Sequence, residues 1–211
     1  MRRLPVYLLL DTSGSMRGER IESVKVGLQA MLSSLRHDPS ALETVYISII
    51  TFDREVKVLT PLTPLEEFTL PELQTPDSGP THMGEALEVL CKQVDYEIIK
   101  STPDKKGDWK PLLFLMTDGS PSDKQKFNAM IPILKSKEFA TIVACAAGAK
   151  AKTDSLTLIA NRVVVLQTMD SASFSGFFKW VSASVSSGNM SMGVTAELQL
   201  PAPPEEIQVV I

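Results

Sequence analysis

Hydrophobic positions along the chain follow two alternating patterns. Short, β-branched or continuously apolar runs stand at VYLLL (6–10), TVYISIITF (44–52), PLLFLMT (111–117), FATIVACAA (139–147) and RVVVL (162–166). Such runs suit strands buried on both faces. EVKVLT (55–60) alternates instead, as an edge or antiparallel strand does. Between these runs, Ile21, Val24, Leu28, Met31, Leu32 and Leu35 recur at three- and four-residue steps and predict a helix over 19–36. Leu87, Leu90, Cys91, Val94 and Ile98 predict another over 83–100. Phe127, Met130, Ile131 and Leu134 predict a third over 123–137, kinked at Pro132. A short helix over 152–160 and a longer one over 171–187, capped by Asp170, complete the pattern. Strands alternating with helices imply an α/β fold: a Rossmann-like, doubly wound, mainly parallel sheet with helices on both faces.

The remaining segments are punctuated differently. Residues 60–82 are rich in Pro, Thr and Ser and read as loop, with one helical turn around LEEF. Beyond Gly188, LPAPPEE cannot continue a helix, so the expected organisation is a domain over 1–188 and an extended, Pro-containing tail over 189–211. That tail has two open readings: a disordered end, or a segment that adds ELQL or EIQVVI to a sheet edge of its own domain or of a partner. The Ser and Thr residues of 182–195 offer phosphorylation sites without distinguishing one of them.

Composition narrows the function. A net charge of -4, with basic pairs only at Arg2-Arg3 and Lys105-Lys106, does not build a nucleic-acid surface. Cys91 and Cys145 have no metal-type spacing and read as small core residues. The apolar run after Arg2 and Arg3 stops at Asp11, and no segment approaches a membrane span of about 20 apolar residues. The chain reads as soluble and cytoplasmic.

Open parallel sheets bind ligands at the carboxyl ends of their strands. Three such places carry clustered oxygen chemistry here. The first strand ends in Asp11-Thr12-Ser13-Gly14-Ser15, the strand 111–117 ends in Thr117-Asp118-Gly119-Ser120, and SGPTHMGEAL places Thr81 just before a helix. If the first strand and 111–117 are neighbours, the loops converge. Alternate side chains of an extended segment point the same way, so residues 11, 13 and 15 face one point, with Gly14 allowing a turn. Two carboxylates and three hydroxyls suit a hard cation, Mg²⁺ or Mn²⁺, with Ca²⁺ also admissible.

These residues resemble the von Willebrand factor A family. LLLDTSGSM, GPTHMGEAL and FLMTDGSPSD stand in that family's order and spacing, and the likeness extends over about residues 4–187. The resemblance implies a metal-ion-dependent adhesion site, in which Ser13, Ser15 and Thr81 hold Mg²⁺ and Asp11 and Asp118 act directly or through water. It implies one antiparallel edge strand, which EVKVLT fits, and a protein partner that supplies an Asp or Glu to the ion. Pro80-Thr81 stands where a Gly-Thr pair is usual. VYLLLDTSGSMRGERIESV, LFLMTDGSPSD and the terminal PAPPEEIQVVI look most like the small stand-alone members of bacterial tellurite-resistance (Ter) clusters, the TerY type. That likeness implies a scaffold in a tellurite or stress-resistance assembly, with a serine/threonine kinase and a PP2C-type phosphatase as candidate partners.

An alternative is a metal-dependent phosphohydrolase, but position 13 is Ser where an acid of the Asp-X-Asp-X-Thr pattern belongs, and no catalytic residue is assigned. Arg17 and His82 are expected at the rim as contacts for a partner, and Met16 either packs under the loop or stands exposed beside the ion as a third contact. Glu19, Arg20, Glu22 and Lys25 are expected to form a solvated helix face.

Overall fold

The computed structural model describes residues 2–148, 151–191, 200–205 and 207–211. Its chain runs β1 (Leu4–Asp11), α1 (Glu19–Arg36), α2 (Pro39–Thr44), β2 (Val45–Phe52), β3 (Val56–Pro64), α3 (Met83–Glu97), β4 (Leu112–Thr117), α4 (Lys124–Lys135), β5 (Thr141–Ala147), α5 (Asp154–Thr157), β6 (Arg162–Leu166), α6 (Ser171–Ser191) and β7 (Ile207–Val209). The strands form a seven-stranded sheet in the order β3-β2-β1-β4-β5-β6-β7.

β1, β2, β4, β5 and β6 are parallel, and their continuous apolar runs follow from burial on both faces. Val6, Leu8 and Leu10 of β1 face the core shared with α1 and α6, while Tyr7 and Leu9 face α3 and α4. The alternating segment is the antiparallel edge strand β3, longer than its sequence signal because the pairing continues to Tyr46↔Pro64. The opposite edge carries a second antiparallel strand. β7, from the tail, pairs Val164↔Val209 and Leu166↔Ile207 on β6. Ile207 is buried there, and the Trp180 indole N–H on α6 donates to the Pro201 carbonyl at 2.9 Å. Most of ELQL, and residues 192–195 of the Ser/Thr-rich stretch, lie outside the described residues.

Helix boundaries follow local chemistry. α3 stops at Glu97, three residues earlier than its periodicity predicts, because the Ile99 N–H is taken by the Asp108 carboxylate at 2.8 Å. α4 continues past Pro132 to Lys135. α2 has no periodic signal; its marker is Asp38-Pro39, where the Asp38 carboxylate accepts the Ser40 and Ala41 N–H groups and proline opens the helix. Asp170 caps α6 by accepting the Ser173 N–H at 2.8 Å. Cys91 and Cys145 are free, buried and on opposite faces of the sheet.

The strand order reverses between β1 and β4, which pair from Val6↔Leu112 to Leu10↔Met116. The loops after these two strands therefore leave the sheet side by side, at the switch point where doubly wound folds bind ligands.

Candidate metal centre

Asp11 ends β1 and is buried. Its two oxygens are already committed: Oδ1 accepts the Ser13 N–H at 2.8 Å and Oδ2 accepts the Thr117 hydroxyl at 2.6 Å. Burial pushes its carboxyl up to about 6, with the nearby Asp118 charge adding to the rise and the Ser13 and Thr117 hydrogen bonds opposing it.

After Ser13 the chain does not continue extended, as the alternation argument assumes. Gly14–Met16 form a 3₁₀ turn closed by Met16 N–H to Ser13 O at 2.8 Å. That turn, rather than strand alternation, brings Ser15 Oγ to 3.1 Å from Ser13 Oγ. Gly14 is required by crowding, since a Cβ there would lie 2.7 Å from Ser78 Cα and 3.0 Å from the Asp77 carbonyl. Met16 is fully buried in the core beneath the turn, so it is not a rim contact.

From β4, Asp118 completes the row: the Ser15 hydroxyl donates to its Oδ1 at 2.8 Å. Ser13 Oγ, Ser15 Oγ and Asp118 Oδ1 thus form a continuous line of oxygens. Mg²⁺ with oxygens at about 2.1 Å holds neighbouring ligands about 3.0 Å apart, whereas Ca²⁺ at about 2.4 Å needs about 3.4 Å. The observed spacings of 3.1 and 2.8 Å are those of hydroxyl hydrogen bonds and lie near the ligand spacing of the smaller ion.

Thr81 is brought to the same loops. Its N–H donates to Ser122 Oγ at 3.0 Å and its carbonyl accepts the Ser122 N–H at 2.9 Å, which ties it to the loop after β4. Its hydroxyl lies 3.6 Å from where a Cβ on Gly119 would stand, beside Asp118. No hydrogen bond links the Thr81 hydroxyl to the row among the described contacts, so it flanks the three oxygens without joining their line. His82 caps α3 by position, but the cap's chemistry comes from the residue just before α4: Asp123 accepts the Gly84 and Glu85 N–H groups at 3.0 and 2.8 Å.

Four residues act here without a signal in the hydrophobic pattern. Asp53, at the end of β2, accepts the Thr12 hydroxyl at 3.0 Å, and Ser122 and Asp123 hold the Thr81 loop. The fourth is Arg20. It is exposed on the α1 face, as expected, and also turns back so that Nη1 donates to the Ser15 carbonyl at 2.7 Å and stands 3.6 Å from Asp118 Oδ2. Arg17 at the rim pairs with Asp77 at 2.5 Å, both exposed.

A family model described as the von Willebrand factor type A domain matches residues 6–179. The chain belongs to that family. Solved structures agree on the fold. The vWF domain of the type V pili tip protein Mfa5 from Porphyromonas gingivalis is similar over 92% of this chain and 97% of its own, with a TM-score of 0.60 and 12% identity. The von Willebrand factor type A protein from Catenulispora acidiphila gives 0.60 at 17% identity, over 88% of this chain and 43% of its own. Proximal thread matrix protein 1 from the mussel byssus, in a structure with a zinc-occupied MIDAS motif, gives 0.62 at 16% identity, over 88% and 48%. The chain spans about half the length of the mussel protein. No curated protein matches it. Von Willebrand factor A domains are often metal-dependent and mediate protein interactions. No helix among the described residues is long and apolar enough to cross a membrane.

Proposed function

We propose that this von Willebrand factor A domain is a metal-dependent protein-interaction module in which Ser13, Ser15 and Thr81, with Asp11 and Asp118 directly or through water, hold Mg²⁺. The reading rests on one observation: three oxygens from two loops form a line at the spacing of octahedral neighbours, 3.1 and 2.8 Å, above a buried carboxylate. Hydroxyl ligands leave much of a divalent charge unneutralised, so the bound ion attracts an outside carboxylate to its open position. Each residue has a separate task. Asp11 orients the Ser13 backbone and the Thr117 side chain, and its charge faces the ion from beneath. The 3₁₀ turn positions the two serines, and Ser122 and Asp123 hold the Thr81 loop.

The zinc-occupied site of the mussel protein supports a divalent ion in this fold, and the oxygen-only donor set here favours Mg²⁺ or Mn²⁺ over zinc. The role is adhesion rather than catalysis. Asp11 is sealed from substrate with both oxygens occupied, which argues against its being the nucleophile of a phosphohydrolase. On the strength of its motifs and its terminal PAPPEEIQVVI, the chain is a cytoplasmic scaffold of the tellurite-resistance TerY type, with a serine/threonine kinase and a PP2C-type phosphatase as partners.

Calorimetric titration of Mg²⁺ and affinity capture in Mg²⁺ or EDTA, each repeated with Ser13→Ala/Ser15→Ala, test the reading. Saturable Mg²⁺ binding lost in the double variant, and partners lost in both EDTA and that variant, are the expected results. Partners retained in both conditions would sink the metal-bridged role. Phosphoester turnover by pure protein, abolished by Asp11→Asn, would establish the hydrolase instead.

A further inference from the structure

Arg20 stands on the same two residues that a cation at the site must use. Its guanidinium donates to the Ser15 carbonyl at 2.7 Å and lies 3.6 Å from Asp118 Oδ2, while Asp118 Oδ1 accepts the Ser15 hydroxyl. The Asp118 side chain is 9% exposed, whereas that of Arg20 is 46% exposed. One partner is therefore fixed and the other is free to leave. A place to go lies alongside. Between α1 and the start of α6 a cavity of about 690 Å³ borders Arg20; three of the seven other residues that line it are acidic, Glu19, Glu22 and Asp170. Lys25 already pairs with Glu22 at 2.7 Å and Asp170 caps α6, which leaves Glu19, among the described residues, as the uncommitted carboxylate of the three.

We propose that Arg20 is an internal competitor for the divalent cation: it neutralises Asp118 in the metal-free protein and withdraws toward the acidic cavity when metal binds. The inference rests on the metal-site reading above. A guanidinium and a divalent ion on one carboxylate repel each other. Metal affinity is then set partly by a side chain that is not a ligand. It also becomes sensitive to ionic strength, because mobile salt screens a half-exposed pair.

The test is calorimetric titration of Mg²⁺ into the full chain, comparing wild type, Arg20→Gln, Arg20→Lys and Ser13→Ala/Ser15→Ala at low and high salt. Arg20→Gln is expected to bind about tenfold more tightly than wild type at low salt, the size of a modest charge pair, with the gap narrowing at high salt. Arg20→Lys keeps the charge and is expected to stay near wild type. In wild type, the Arg20 Nε–H nitrogen resonance shifts on Mg²⁺ addition; in the double-alanine variant it does not. Binding by Arg20→Gln that is unchanged or weaker, or by Arg20→Lys as tight as by the glutamine variant, overturns the competition. If wild type and Arg20→Gln both bind and the double-alanine variant does not, the metal site stands whatever Arg20 does. If none of the proteins binds Mg²⁺, the site and the competition fall together.

Discussion

The two ends of β1 both carry clusters of charged and polar side chains, and they differ in how the charge is balanced. At the amino end, Arg3 donates to Asp108 Oδ1 at 2.9 Å, to Oδ2 at 2.5 Å and to the Glu97 carbonyl at 2.7 Å. The Tyr7 hydroxyl and the Leu62 N–H occupy the two Glu97 oxygens at 2.9 and 3.0 Å, and Arg3 also lies over the Tyr46 ring. Burial, with the Glu97 carboxylate beside it, pushes the Tyr7 phenol well above its ordinary range, so it stays a donor. Cation meets anion with fork geometry, and donors meet acceptors. At the carboxyl end, two carboxylates and a row of hydroxyls face a half-exposed arginine whose nearest approach to Asp118 is 3.6 Å. The first cluster is closed and joins β1 to the loop over 98–110. Each end holds one arginine and two carboxylates. The difference is that every Asp108 and Glu97 oxygen has a hydrogen-bond donor, whereas Asp118 Oδ2 has only Arg20 at 3.6 Å and stands beside a row of hydroxyls, the condition for receiving a cation. Burying charge beside a strand is therefore not itself the mark of a site; the mark is charge left incompletely matched at the loop end.

Breaking the closed cluster should cost stability and leave metal binding alone. Asp108→Ala, which strands Arg3 and the Ile99 N–H, is expected to destabilise the fold by about 3 kcal/mol in urea unfolding without changing Mg²⁺ affinity. The open cluster should behave in the opposite sense. Ser13→Ala/Ser15→Ala removes two donors and is expected to lower Mg²⁺ affinity by on the order of 100-fold, with the circular dichroism spectrum preserved. A change in stability without a change in affinity would erase the distinction between the two ends.

Asp11→Asn sharpens the comparison through pH. The folded carboxyl titrates at about 6, above its ordinary 3.8, so the metal-free fold binds the extra proton between those values. Its contribution to stability is complete below about pH 4 and is lost as pH rises through 6. Asparagine accepts the Ser13 N–H and donates to Thr117, whose hydroxyl can turn to the Gly119 carbonyl 3.3 Å away. The metal-free variant should accordingly be more stable than wild type by about 2 kcal/mol at pH 7 and equal to it near pH 4, measured by thermal or urea unfolding. Mg²⁺ affinity of the wild type should fall as pH drops below 6, because the proton and the ion compete for one buried charge. The smallest effect is expected from Tyr7→Phe, which leaves one Glu97 oxygen without its donor and should cost about 1 kcal/mol with affinity untouched.

Much of this was legible along the chain. The apolar runs identify the strands because a parallel strand covered on both faces admits few polar residues, and the α1 stripe over 19–36 ends where its periodicity does. Asp11, Ser13, Ser15, Thr81 and Asp118 stand out because oxygen-bearing side chains gather at strand ends, and the structure brings the loops that carry them to one place. α2 escaped because six residues give no helical period. β7 was ambiguous because a short β-branched segment pairs equally well with any free edge, and the edge it uses belongs to β6, about 40 residues away in sequence. Met16 has two readings in the sequence, under the loop or at the rim, and the 3₁₀ turn decides for the first by directing it into the core.

The sequence by itself determined the alternation of strands and helices, the oxygen chemistry of the two loops and the membership of the von Willebrand factor A family, because each is written in residue types at short spacing. Tertiary structure decided what those residues do together. Only the pairing of β1 with β4 sets Ser15 against Asp118, more than 100 residues later, and only the tertiary structure makes Arg20, still exposed, a neighbour of the site. The physical reason is range: hydrophobic periodicity records which face of a helix is buried, whereas the reach of a long charged side chain depends on what another part of the chain brings within a few ångströms of it.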